Sequence, residues 1–488
     1  MMKRNTLLYV TFFLITLLSV VVRSWNITAP VADWHSFRQT DTASVARRYL
    51  SEGIHMLIPR YQDLSNIQSG KDNPEGYRMV EMPIYQVLAV YVKYSIPALP
   101  IEVALRIVTI FGSACITFLI GIWVNKKAGW LAGALSALVY AVLPYSVFYG
   151  RSILPDTLMT ALAFGSIFTL DMMRGKKWGV VGIIVSLVLA SLSILVKPYS
   201  LFILLAGFPI ALSRFRWKGI VFFLLWIGIA LLPFLWWREW ITHFPEGIPA
   251  GEWLMNGNGI RFKGAWFHWL FAVRLGDLIL GYWGLIPFGL GVLHLTSEKG
   301  SWIYRTLLGG VILYFIVFAT GNVQHDYYQI LTLPVIAIIT GTGLAFGLTL
   351  GKKDTFSFLK KGIFFSVCMI FGLMFSWFTL RTYYWINRPE IIEAGKKTDE
   401  ILPKDAKVIA PYNGDTTFLY QTKRNGWPLG FDIEDKIKLG ATHYVTVSPT
   451  DEDLETKDLA REYTVIVRNE KFAIIDLTKK NSDSVSVN

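Results

Sequence analysis

The amino-acid sequence predicts a polytopic α-helical membrane protein of about eleven transmembrane helices, carrying a small C-terminal α/β domain. Three observations predict it. Charged residues make up only 17% of the 488 positions and apolar residues 53%, whereas soluble domains run near 25% charged. The apolar residues lie in long blocks, among them 7–22, 101–124, 131–149, 220–237 and 356–380, each near the ~17–25 residues that a helix needs to cross the hydrocarbon. After residue 382 the pattern changes to charged sequence in which short β-type runs alternate with helix-type stretches.

Charge placement orders the helices. The basic clusters are Lys3-Arg4, Lys126-Lys127, Arg174-Lys176-Lys177, Arg214-Arg216-Lys218, Lys299-Arg305, Lys352-Lys353 and Lys360-Lys361. Placing all of them in the cytoplasm leaves crossings at 7–23, 103–124, 129–149, 156–173, 178–196, 198–213, 218–237, 277–297, 302–321, 328–350 and 358–380. The N-terminus is then cytoplasmic and the C-terminus outside. The net charge of +12 is thereby assigned to cytoplasmic loops rather than to nucleic-acid binding. Lys3 and Arg4 also fit the start of a signal peptide, but 23–26 offers no small-x-small cleavage site, so the first segment reads as a retained anchor. Residues 82–97 are apolar, yet counting them as a crossing would move the later basic clusters outside. They read as an interfacial helix with Tyr85, Tyr91 and Tyr94 at headgroup level.

This path divides the chain into a membrane module, 1–382, and a soluble outer domain, 383–488. Two outer loops, 24–100 and 238–276, belong to the module. In the outer domain the β-type runs are 407–410, 443–447, 463–467 and 472–475, with helix-type stretches at 389–402 and 451–461 and a frayed tail from 481. The two cysteines, Cys115 and Cys368, lie inside apolar runs and read as small apolar fillers, which argues against a disulfide framework.

Residues able to carry chemistry gather on the outer side. The first loop opens with Asp33, His35, Arg38 and Asp41 just after a span, in a stretch that is otherwise an ordinary juxtamembrane loop anchored by Trp34. Arg151 and Asp156 flank the next outer turn, where Asp156 is equally a good helix N-cap. Lys197 breaks the inside bias and calls for either snorkelling or function. His325 and Tyr328 sit at another outer mouth, where an aromatic belt is the plainer reading. Loop 238–276 combines Trp240, Trp253, Trp266 and Trp269 with Arg261 and Lys263, which suits either a lipid-linked sugar or an amphipathic interfacial helix.

In order along the chain, Asp41, Glu81-Met82-Pro83-Ile84-Tyr85, Arg151 through Pro155-Asp156, Lys197-Pro198 and Tyr328 before Pro334 resemble the membrane glycosyltransferases of the GT-C type. The resemblance is to glycosyltransferase family 39 and its relatives, the protein mannosyltransferases and aminoarabinose transferases, and covers roughly 1–380. It implies sugar transfer from a polyprenyl-phosphate donor to a lipid, glycan or protein acceptor at the outer face of a bacterial cytoplasmic membrane, with inversion. A first-loop carboxylate then serves as base, Asp41 or alternatively Asp33. Arg38, Arg151, Lys197, Arg261 and Tyr328 are candidates to hold the donor phosphate, and Glu81, Tyr85, Asp156 and His325 complete the substrate-binding set. Glu81 departs from the lysine of aminoarabinose transferases, and Asp41-Thr42 from the Asp-Glu pair of protein mannosyltransferases. A divalent metal on Asp33, His35, Asp41, Glu81 or His325 is conceivable, but no spacing selects for one, and no cofactor beyond the lipid-linked donor is expected.

Two other readings compete. A flippase for lipid-linked glycans would place ionisable residues at the bilayer midplane and repeat its broken helices in two halves. A receptor or scaffold would leave Asp41, Asp156 and Lys197 without a common purpose.

Overall fold

In the computed structural model the described residues are 2–173, 178–297, 302–351 and 355–481. The clusters Arg174-Lys176-Lys177 and Lys352-Lys353, Lys299, and the tail from 482 lie outside the described residues, as do the side chains of Lys3 and Arg4. Two compact units emerge. The first comprises Met1–Ile27, Arg106–Glu239 and Gly251–Tyr383, and the second Thr28–Leu105, Trp240–Ala250 and Tyr384–Asn488. The first loop therefore groups with the C-terminal residues, where the sequence reading placed it in the membrane module.

The first unit is helical because long apolar stretches satisfy their backbone groups internally only as helices. Among the described residues five helices are long and apolar enough to cross a membrane: Ile101–Ala128, Gly179–Val196, Lys218–His243, Asp326–Thr349 and Thr355–Tyr384. The pair Pro198–Leu204 and Gly207–Phe215, bent by 42°, makes a sixth if taken as one span. Leu8–Ser24, Trp130–Val142, Leu285–Leu295 and Trp302–Val317 are apolar but shorter.

Proline and local winding account for the broken elements. The expected helix 129–149 is two, Trp130–Val142 and Pro144–Tyr149, with Leu143 turned out of the helix at ψ 123°. Proline lacks an N–H and pushes the residue before it toward extended backbone. The expected 277–297 starts only at Leu285, because His268–Ile279 winds as a π-helix. The expected 328–350 begins as a 3-10 turn, Asp326–Thr332, before Pro334 opens the helix Leu333–Thr349.

Burial grades these helices by place. The most apolar window of Asp326–Thr349 is 89% buried, and that of Lys218–His243 only 17%. The latter exposes Ile220, Leu224, Leu232 and Leu235, an apolar surface that suits lipid rather than water. The central helix Leu333–Thr349 packs on Trp130–Val142 at small residues, and a Cβ on Gly341 would stand 2.3 Å from Ser136 Cα.

The second unit is built on a five-stranded sheet. Its strands are β1 Lys407–Ile409, β2 Asn425–Trp427, β3 His443–Thr446, β4 Tyr463–Arg468 and β5 Ala473–Lys480, in the order β2-β1-β3-β5-β4. The pairs β1–β2 and β1–β3 are parallel, while β5 runs antiparallel to both β3 and β4. Alternating side chains feed two cores. Val408, Val445 and Ile474 meet Phe418 and Ile391 on one face, and Ile409, Tyr444 and Ile475 meet Leu459 on the other.

The edge of this sheet is extended by the first loop. Gly426 N donates to Gln62 O, and Leu64 N donates to Gly426 O. A Cβ at Gly426 would stand 1.7 Å from Val408 O. Gly426→Ala is therefore expected to cost about 3 kcal/mol or more, seen as a lowered midpoint in thermal unfolding of the full chain.

The helix expected at 82–97 is Ile84–Ser95. Its 12 residues reach only about 18 Å, too short for the ~30 Å hydrocarbon. Tyr91 and Tyr94 are exposed, but Tyr85 is fully buried and donates to Leu105 O at 2.8 Å. That corrects its expected headgroup position: the ring packs inward, and its hydroxyl is spent on the backbone.

Candidate active site

In the second unit the helix Ser36–Glu52 begins after His35, which takes a left-handed conformation (φ 53°). Its inward face carries Arg38, Asp41, Thr42 and Val45, spaced i, i+3, i+4 and i+7. The opposite wall takes Pro59, Arg78 and Glu81 from the loop that follows and Gln86 from the helix Ile84–Ser95. Between them lies a cavity of about 10 Å³, room for about one water.

Two carboxylate–guanidinium pairs line this cavity. Asp41, 2% exposed, meets Arg78 Nη2 through Oδ2 at 2.8 Å. Its Oδ1 accepts from the hydroxyl of Thr416 at 2.7 Å. Arg38 Nη2 donates to both oxygens of Glu81, at 2.8 and 2.9 Å. Arg78 Nη1 and Gln86 Oε1 are buried without a hydrogen-bond partner among the described residues, so the cavity holds unspent polar capacity. Asp33 lies outside it, with Oδ1 accepting from Gln39 Nε2 at 2.8 Å.

A third carboxylate stands close by. Burial pushes Asp63 from its ordinary 3.8 up to about 6; the Asp41 charge adds to the rise, and hydrogen bonds from Ser65 and the charge of Arg78 oppose it. The folded chain thus holds this proton more tightly than the unfolded one. Stability from the protonated group is present below about pH 4 and is lost as pH rises through about 6. The effect amounts to about 3 kcal/mol, and Asp63→Asn is expected to flatten the melting temperature between pH 4 and 7.

In the first unit the structure gathers a second group. Lys197, just past the helix Gly179–Val196, donates to Asp156 Oδ2 at 2.7 Å, and Asp156 opens the helix Asp156–Met172. Both side chains are buried. Lys197 Nζ lies 6.0 Å from the ring of Tyr327, which stacks on Tyr328 at 4.7 Å and on His325 at 5.3 Å. Tyr199 faces Tyr328 at 5.6 Å, and Trp253 meets His325 edge-on at 5.6 Å. Arg151 is buried beside Phe148, with Nη1 donating to Asn26 O at 3.4 Å. Arg261 is held apart from this group by long bonds to Met255 O and Val317 O.

Several residues escaped the sequence reading. Arg78 and Gln86 lack a recognisable motif, and Thr416 lies 375 positions from Asp41. Asp326 is 1% exposed, and its carboxylate accepts from Tyr149 at 2.6 Å and Tyr383 at 2.5 Å. Arg274 stands 4.0 Å away, and Tyr145 donates to the backbone oxygen of Asp326. This network ties down the turn that presents His325, Tyr327 and Tyr328. The available signal was an aspartate placed among apolar spans.

Among the described residues no three His, Cys, Asp or Glu side chains gather as a metal site. Asp41 and Glu81 each already face a guanidinium, so this donor set does not fit a metal ion as arranged.

Two structures of ArnT from Cupriavidus metallidurans, one bound to undecaprenyl phosphate and one in the apo state, match with TM-scores of 0.62 and 0.63. Identity is 12%, over 95% of this chain and 97% of theirs. This chain has the GT-C fold. The archaeal oligosaccharyltransferase AglB from Archaeoglobus fulgidus, in complex with an inhibitory peptide and a dolichol-phosphate, matches at TM-score 0.58 and 9% identity, over 99% of this chain and 75% of that one. No family model and no curated protein sequence matches. At these identities the GT-C likeness concerns architecture, and the side-chain roles rest on this chain's own geometry.

Proposed function

We propose that this GT-C chain is an integral membrane glycosyltransferase that moves a sugar from a polyprenyl-phosphate-linked donor to a lipid, glycan or protein acceptor. The observation that carries the reading is the fold shared over 95% of the chain with an ArnT structure bound to undecaprenyl phosphate. The buried Asp41 supports it from the residue side, because a held carboxylate is what a hydroxyl nucleophile requires.

In this reading the acceptor oxygen attacks the anomeric carbon from the face opposite the phosphate. The bond from that carbon to the phosphate oxygen breaks, polyprenyl phosphate leaves, and the acceptor proton passes to Asp41. The configuration inverts. Thr416 on Oδ1 and Arg78 on Oδ2 fix the carboxylate, and each oxygen keeps a further lone pair for the incoming proton. Arg38 neutralises Glu81, so Glu81 meets substrate as a hydrogen-bond acceptor rather than a bare charge. Within the first unit, Lys197 offers a point charge suited to a donor phosphate. Tyr328, His325 and Arg151 supply further donors or cations, and Asp156 holds Lys197 in place.

About eleven crossings, an N-terminus in the cytoplasm, a C-terminus outside and a bacterial cytoplasmic membrane complete the proposal. The rival flippase reading is separated by a leaflet-exchange experiment. The chain is reconstituted in vesicles containing fluorescent polyprenyl phosphate, and a membrane-impermeant quencher is added outside. A transferase leaves the protected fraction near half, as in empty vesicles; rapid loss of that fraction would contradict the proposal and favour transport.

A further inference from the structure

We propose that the first unit carries a second ligand site, for the phosphate of an anionic phospholipid, at the end away from Asp156. The proposal stands independently of the transferase reading. The helix Asp156–Met172 has 17 residues, so its two ends lie about 25 Å apart. Near its far end five helix termini line a cavity of about 580 Å³, within the range of small-molecule sites.

The walls of this cavity are amphipathic. Lys127, His294 and Thr349 supply polar groups, and Trp130, Leu131 and Phe346 an apolar side. Lys127 Nζ pairs with Asp171, which also accepts from Trp123 Nε1 at 2.8 Å. An ammonium carries three donors, so one carboxylate contact leaves capacity for a phosphate oxygen.

The surroundings are basic. Arg214 donates to Leu170 O and Gly179 O, Arg305 to Leu295 O, and Lys361 to Leu350 O, which brings three more cations to this end. Asp171 is the acid that answers Lys127 there. Trp130 and Trp302, 50% and 64% exposed, have the character of rings that sit at headgroup level. A basic pocket between helix ends, walled on one side by apolar residues, suits a lipid phosphate with its glycerol and upper acyl carbons. A soluble anion would leave the apolar wall without use.

The test uses the full chain in nanodiscs of equal phosphatidylglycerol and phosphatidylcholine, released into mild detergent for native mass spectrometry. Phosphatidylglycerol is expected to stay bound about tenfold over phosphatidylcholine. Lys127→Gln and Ala128→Trp are each expected to abolish that preference. Ala128 is an exposed wall residue, so filling the mouth there spares the core, and Lys127→Gln leaves Asp171 its indole partner. Equal retention of the two lipids, or an unchanged preference in both variants, would overturn the proposal. Displacement of the lipid by millimolar inorganic phosphate, with phosphate itself retained, would assign the site to a free anion and overturn the lipid reading.

Discussion

Asp41→Asn is expected to lower sugar transfer by about 10²–10⁴-fold while donor binding persists. The amide keeps the volume and can still accept from Thr416, but it takes up a proton far more weakly than a carboxylate. It also leaves Arg78 facing a neutral group in a nearly closed cavity. A loss of about 1–3 kcal/mol in stability is expected from that alone. The readout therefore pairs a single-turnover rate with donor affinity and a melting curve, so that a folding defect is separated from a chemical one. Asp33→Asn serves as the comparison, since Asp33 lies outside the cavity and bonds Gln39. Full activity in Asp41→Asn together with loss in Asp33→Asn would move the base to Asp33.

Lys197→Met is expected to destabilise the chain by about 3–5 kcal/mol, because it strands the buried carboxylate of Asp156. The double variant Lys197→Met with Asp156→Leu removes both charges at similar volume, and most of the stability is expected to return. If Lys197 is the point charge for the donor phosphate, affinity for a polyprenyl-phosphate lipid stays reduced by about tenfold or more in the double variant. A double variant that recovers both stability and affinity would demote the pair to a structural brace.

The architecture was legible where a single local property decides it. Runs of apolar residues foretold helices such as Ile101–Ala128 and Thr355–Leu380 within a few residues at each end, and alternation foretold four of the five strands. The missed strand, Asn425–Trp427, has three residues with a glycine at its centre, too short for any period. Broken helices were harder. Pro144 and Pro334 were visible, but hydropathy averages over them, while the backbone does not. Of the eleven expected crossings, ten meet apolar helices among the described residues, five that qualify alone, a bent sixth and four shorter ones; the expected 156–173 is the 17-residue helix Asp156–Met172.

The candidate site divided along the same line. Asp41 and Glu81 were marked by motif order and Arg38 by its place just after the first span, and the structure brings them to one cavity. Lys197 and Asp156 meet, with Tyr328 and His325 in the adjoining aromatic stack. Asp33 and Arg261 do not join these groups, and Tyr85 is spent on a backbone carbonyl. Arg78 and Thr416 were silent because their partners are distant in sequence, and Asp326 stood out only as an aspartate among apolar spans: its carboxylate is held by tyrosines 177 positions before it and 57 after it. Such pairings follow from the fold and leave no trace in local composition.

The measurement that tests the central claim most directly is a transfer assay with the purified chain in lipid. It is given a radiolabelled polyprenyl-phosphate sugar and a membrane extract, beside the Asp41→Asn variant. The account predicts that label moves to an acceptor with the intact chain and not with the variant. Label that stays on the polyprenyl lipid across several sugars, while the chain is folded and binds the donor, would contradict it.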